Sequence, residues 1–142
     1  MVEGDLTILV ADDDPGVREF LVSIFQPRGY RVLTAARGDE AISLALQEAP
    51  EVILLDVNMP GGDGYEVTRA LRADGATRHA AIIMLTGEAA EERAARGFQS
   101  GADDFLVKPL RAANVIARVQ TWILRHTQRT STPPDEGQPP DG

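Results

Sequence analysis

Asp12, Asp13, Asp56, Thr86 and Lys108 each close a short apolar run, and together they are a set of groups suited to phosphate chemistry. Ile8-Leu9-Val10-Ala11 leads into Asp12-Asp13-Asp14. Val52-Ile53-Leu54-Leu55 leads into Asp56, which opens the tight loop Asn58-Met59-Pro60-Gly61-Gly62-Asp63-Gly64. Ile82-Ile83-Met84-Leu85 leads into Thr86, and Phe105-Leu106-Val107 into Lys108-Pro109. Adjacent carboxylates repel unless a cation neutralises them. Hard oxygen ligands of this kind suit Mg2+, which takes one or two carboxylates, waters and a phosphate oxygen. Asp12 and Asp13 are therefore candidate metal ligands, with Mn2+ as the alternative ion. The Asn58 backbone carbonyl could join them. A carboxylate oxygen that attacks phosphorus gives an aspartyl phosphate, and Asp56 is the candidate nucleophile. In-line attack needs little beyond positioning and charge compensation. The Thr86 hydroxyl would donate one hydrogen bond to the phosphoryl group, and the Lys108 ammonium would act as a point charge. Asp14 before Pro15 reads as a helix cap.

These groups work together only if the strands that carry them lie side by side. Leu6–Ala11, Tyr30–Ala35, Val52–Leu55, Ala81–Leu85 and Asp104–Val107 read as five strands. Between them lie apolar residues at helical spacing. Val17, Phe20, Leu21, Ile24 and Phe25 mark a first helix. Ile42, Ala45, Leu46 and Ala49 mark a second, and Val67, Ala70 and Leu71 a third. A fourth helix is expected from Glu88 to Ser100, with Ala90, Ala94, Ala95 and Phe98 on one face. Ala112, Val115, Ile116, Val119, Trp122 and Ile123 mark a fifth. Five strand–helix repeats imply an α/β fold with a parallel sheet, and near-continuous apolar strands imply cover on both faces. The expected architecture is a five-stranded, doubly wound sheet in order 2-1-3-4-5, flavodoxin-like, with five helices. Its ligand crevice lies at the carboxyl ends of the strands. Strands 1 and 3 are then neighbours, which brings Asp12, Asp13 and Asp56 together.

The bulk properties narrow the class. The 142 residues favour one domain, and the net charge of −8 with a pI near 4.7 disfavours direct contact with a nucleic-acid backbone. No cysteine is present, which excludes disulfide and thiolate chemistry. No apolar stretch is long enough for a membrane span. The acidic start, Met1-Val2-Glu3-Gly4-Asp5, lacks the features of a signal peptide, so a cytoplasmic location is expected. Residues 1–126 read as the domain, and 127–142, polar and containing Pro133-Pro134 and Pro139-Pro140, as a disordered tail or linker. His79 and His126 look isolated, and Trp122 reads as a packing residue.

Four segments in order now carry a resemblance: residues 8–15, Leu55–Gly64, Leu85-Thr86-Gly87, and Gly101–Pro109. Together they resemble the receiver domain of two-component response regulators, over about residues 5 to 126. The resemblance implies a phosphorylation-activated signalling switch. Asp56 would take a phosphoryl group from a histidine kinase or phosphotransfer protein. Asp13, Asp56 and the Asn58 carbonyl would bind Mg2+ directly, with Asp12 acting mainly through water. Lys108 would contact the phosphoryl group. Thr86 and Phe105 would form the switch pair that alters the face of the fourth helix, fifth strand and fifth helix, a face that could also support a homodimer. Asn58 and Glu88 would flank the path of a hydrolytic water, as in fast-resetting chemotaxis regulators. No enzyme activity is implied beyond self-phosphorylation from phosphodonors and autodephosphorylation.

Two departures from the family pattern stand out. Gly87 occupies a position more often alanine or serine. The basic positions of transcription regulators are only partly present: Arg96, Arg118 and Arg125 are there, but Ala94 and Ala95 are not basic. Two other readings compete. A haloacid-type phosphohydrolase would use Asp12 and Asp14 as its D-x-D pair, but the chain lacks the later acidic motif and room for a cap. A receiver-like interaction module that takes no phosphate would not need the complete acidic set.

Overall fold

Apolar strands ending in polar residues pair side by side, as their patterning requires. The computed structural model describes residues 6–87 and 99–131, the last five by their backbone alone. The strands are β1 (Thr7–Ala11), β2 (Arg31–Ala35), β3 (Val52–Asp56), β4 (Ala81–Thr86) and β5 (Asp104–Val107). All pairings are parallel, and the sheet order is β2-β1-β3-β4-β5. Three helices, α1 (Pro15–Phe25), α2 (Gly38–Glu48) and α3 (Gly64–Arg72), alternate with the strands, and a C-terminal helix spans Ala112–Ser131. Most of the expected fourth helix lies outside the described residues.

Both sheet faces are covered, which explains why β1, β3 and β4 are buried throughout. One apolar cluster joins Leu9, Ile53, Leu55, Ile82 and Met84 to Ala41, Ala45, Tyr65, Val67 and Leu71 of α2 and α3. The other joins Ile8, Val10, Leu54, Ile83 and Leu85 to Leu21 and Phe25 of α1 and to Val115 and Val119 of the C-terminal helix. Successive strand residues thus feed opposite layers, as a period of two demands. Burial of each large aliphatic side chain contributes roughly 1.5–3 kcal/mol.

Local chemistry sets the helix starts. Asp14 has extended backbone and accepts the Gly16 N–H at 2.8 Å, so it caps α1 ahead of Pro15. Asp63 and Glu66 form a reciprocal capping box at α3: each side chain accepts the other's backbone N–H, at 2.9 and 3.0 Å. Glu66 in the first turn and Arg69 and Arg72 in the last complement the α3 dipole.

Several expectations need correction. The buried face of α2 is Ala41 and Ala45, whereas Leu46 is 41% exposed. Ala49 is the left-handed cap residue at φ 46°, one residue past the helix, so the apparent spacing ran one position too far. In α3, Ala70 is exposed, and Thr68 takes the buried place beside Val67 and Leu71. Its hydroxyl is satisfied by the Gly64 carbonyl at 2.8 Å, which lets a polar residue sit in the core. The C-terminal helix runs to Ser131. A ring nitrogen of His126 lies 3.3 Å from the His79 backbone carbonyl. Trp122 packs as expected, but its indole N–H also donates to Asp104 at 2.8 Å.

Candidate functional site

The register of β1 against β3 sets Ala11 opposite Leu55, so Asp12 and Asp56 emerge as neighbours at the carboxyl edge of the sheet. One carboxylate oxygen from each of Asp12, Asp13 and Asp56 lies within 4.8 Å of the others. Asp12 and Asp56 are buried, and Asp13 is exposed. Local bonds hold the acidic turn in shape. The Asp12 N–H donates to the Ala35 carbonyl at 3.0 Å. The Asp14 N–H donates to Asp12 Oδ1 at 2.9 Å, and Arg18 on α1 donates to the Asp12 carbonyl at 2.8 Å. Arg18 was not foreseen; nothing in the local sequence separates it from a solvated arginine.

Lys108 reaches across from the end of β5. Its Nζ lies 2.8 Å from Asp12 Oδ2 and 3.3 Å from Asp56 Oδ1. The Lys108 N–H donates to the Thr86 carbonyl at 2.7 Å, which anchors the β5 end to the β4 end. The peptide bond from Lys108 to Pro109 is cis. At 2.8 Å the Lys108 ammonium is the partner of Asp12 Oδ2, which thus shares its cation with Asp56. Three clustered carboxylates around one ammonium leave net negative charge, and hard oxygen donors of that kind fit a divalent cation.

The electrostatics agree. Burial pushes the Asp56 carboxyl up, the neighbouring Asp12 charge pushes it further, and Lys108 and the Asn58 N–H offset only part, leaving it at about 6. Burial alone would lower the Lys108 ammonium, but contact with Asp12 and the charges of Asp56 and Asp12 outweigh it and hold the group above its usual value. The acidic pair thus stabilises the positive charge that its own crowding requires.

Thr86 is buried one residue past Leu85, which pairs with Asp56. Phe105 pairs with Met84 in the sheet and is partly buried against the α2–α3 core layer. Asn58 is exposed on the loop after Asp56. Glu88 lies outside the described residues. Thr86 and Lys108 are therefore brought to the same edge as the three acids, and Phe105 sits one layer below it.

Three glycines acquire a reason. A Cβ on Gly64 would lie 2.6 Å from the Asp56 carbonyl, so only glycine lets α3 start against the strand end. Gly61 and Gly62 have φ of 80° and 126°, conformations that L side chains rarely adopt.

Comparison with known proteins gives one family. Residues 8–120 match the response regulator receiver domain. The chain is 41% identical over 124 residues to the transcriptional regulatory protein ResD of Bacillus subtilis, covering 87% of this chain and 50% of ResD. It thus spans about half the length of the curated relatives it matches. Among solved structures, chemotaxis response regulator CheY4 of Vibrio cholerae is 34% identical with a TM-score of 0.79, covering 82% of this chain and 98% of that one. The receiver domain of sensor histidine kinase PA1611 from Pseudomonas aeruginosa, solved with magnesium in its active-site cleft, is 33% identical. Its TM-score is 0.77, and the match covers 83% of this chain and 97% of that one.

Proposed function

The chain belongs to the response regulator receiver domain family, and on that premise we propose that Asp56 is its phosphoacceptor. Receiver domains of response regulators are signalling switches that work with histidine kinases. The donor proposed here is the phosphohistidine of a histidine kinase or phosphotransfer protein. The observation that carries the reading is the convergence of three carboxylates within 4.8 Å, with the Lys108 ammonium spanning two of them.

An Asp56 carboxylate oxygen forms a bond to phosphorus as the phosphorus–nitrogen bond of the donor breaks, and the electron pair stays on the imidazole. Lys108 turns from Asp56 to the phosphoryl oxygens, and the Thr86 hydroxyl donates to one of them. Asp13, Asp56 and the Asn58 carbonyl would hold Mg2+, with Asp12 acting through water; Mn2+ fits the same donors. When bound, the ion supplies positive charge against the phosphoryl oxygens. Self-phosphorylation from small phosphodonors and autodephosphorylation belong to the same proposal.

The signal would pass through Thr86 and Phe105. Thr86 moving toward the phosphoryl group leaves room for Phe105 to rotate, which reshapes the face of β5 and the C-terminal helix. That face is also the proposed homodimer surface. No helix among the described residues is long and apolar enough to cross a membrane, and a cytoplasmic site of action is proposed. With a net charge of −8, direct DNA contact is not assigned to this segment.

Treatment with acetyl phosphate followed by intact-mass spectrometry tests the acceptor. One phosphoryl adduct on the parent and none on Asp56→Asn is expected. An adduct on the variant rejects Asp56, and turnover to free phosphate without an adduct favours a phosphohydrolase. For the switch, Thr86→Val is expected to accept phosphate but lose the accompanying NMR shifts in β5 and the C-terminal helix. Shifts matching the parent's would reject the Thr86–Phe105 route.

A further inference from the structure

We propose that Gly38 is a positioning residue for the loop that carries the Asn58 ligand, an inference that rests on the Mg2+ reading above. The loop between Asp56 and α3 is pinned by backbone bonds. The Val57 N–H donates to the Leu85 carbonyl at 3.1 Å, and the Gly64 N–H donates to the Val57 carbonyl at 2.8 Å. Both hold its ends. A third bond reaches its tip from another element: the Gly38 N–H, at the start of α2, donates to the Pro60 carbonyl at 2.9 Å. The contact is also steric. A Cβ on Gly38 would stand 2.2 Å from the Gly62 oxygen, 2.9 Å from the Gly62 carbon and 3.0 Å from the Gly61 oxygen. These are backbone atoms, so no rotamer change relieves the clash. Arg37 and Asp39, paired at 3.1 Å, lie over Gly61 in the same way: a Cβ there would meet Asp39 Oδ1 at 2.8 Å and the Arg37 guanidinium at 2.9 Å.

Gly38 is not in a left-handed conformation, so its identity answers to close approach alone. Alanine at this helical position would improve the propensity of α2. Its cost falls on the neighbouring loop, which must retreat and carry Pro60 and, two residues before it, Asn58 out of place. Residues that orient a metal ligand from behind matter to affinity much as ligands do. Gly38 touches no reacting atom and acts only through the loop.

Two measurements on the full chain decide this. In a Mg2+ titration followed by amide NMR, the Gly38 amide is expected to shift with the same midpoint as those of Asp13 and Asn58. Calorimetric Mg2+ titration of Gly38→Ala is expected to show affinity weakened about tenfold, with metal-free circular dichroism retained. Gly75→Ala, whose new Cβ would meet nothing within 4 Å among the described residues, is expected to bind as the parent does. Unchanged affinity in a folded Gly38→Ala overturns the inference, as does a silent Gly38 amide while Asn58 moves. The NMR arm uses the parent chain and stands even if the variant does not fold. If Mg2+ moves no amide near Asp12, Asp13 or Asp56, the metal site itself is wrong and the inference falls with it.

Discussion

At the amino end of the sheet, Arg72 makes four hydrogen bonds: to the carbonyls of Gly101, Arg78 and Ala80, and to the Asp103 carboxylate, at 2.6 to 2.8 Å. Asp103 in turn accepts the Ile82 N–H at 2.9 Å. At the carboxyl end, Asp12 and Asp56 share the Lys108 ammonium, Asp13 adds a third carboxylate beside them, and Asp56 is pushed up to about 6. Both ends join strands through an arginine or lysine and a carboxylate. The first is saturated, and it ties α3 to the entries of β4 and β5. The second is left short of positive charge. Saturation makes a clamp, whereas a deficit makes a site that responds when a cation or phosphoryl group arrives.

The contrast predicts opposite consequences of mutation. Arg72→Met keeps much of the side-chain length but strips four hydrogen bonds and leaves Asp103 unpaired. A loss of about 3 kcal/mol in urea unfolding is expected, with Mg2+ affinity unchanged in the folded variant. Weakened Mg2+ binding in a folded Arg72→Met would show that the two ends are coupled, and would blur the distinction.

At the carboxyl end, charge removal is expected to stabilise. The Asp56 pKa rises from 3.8 to about 6 on folding, so the native chain holds a proton that the unfolded chain releases in that interval. Metal-free stability should therefore fall as pH rises from about 4 to about 6 and then level, by about 2 kcal/mol after allowance for solvent screening. Asp56→Asn should lack this component and be more stable than the parent at neutral pH without metal. Urea midpoints in EDTA across that range measure it, and parallel profiles for the two proteins would remove the proposed deficit.

The smallest effect is expected at Gly87, beside the site. A Cβ there would meet nothing within 4 Å among the described residues. Gly87→Ala should raise stability by about 0.5 kcal/mol through the unfolded chain, without changing phosphoryl acceptance. A destabilised variant would mean that the loop uses the freedom of glycine.

Much of the site was legible because its members end apolar runs. A strand buried on both faces has few polar residues, so a carboxylate or lysine at its end stands out, and the parallel order then brings Asp12, Asp13, Asp56 and Lys108 to one edge. The Asp63–Glu66 capping box was equally local and could have been read from its spacing. On α2, Ala45 and Ile42 were placed correctly, but Leu46 was taken for a buried residue and Ala41 missed, because Leu46 satisfies a helical period as well as Ala41 does and only the approach of the sheet selects between them. Thr68 was missed because a threonine becomes a core residue only when a carbonyl one turn away takes its hydroxyl.

By itself, then, the sequence determined the strands, the Asp14 cap and the identity of the acidic set, since each depends on neighbours along the chain or on the burial pattern of a strand. Tertiary structure decided the rest. Arg72, Arg18 and Gly38 resemble any arginine or glycine until segments distant in sequence close on them. Their roles come from carbonyls at the entries of β4 and β5, just past β1 and in the Asp56 loop, and the direction of a backbone carbonyl is written in no side chain.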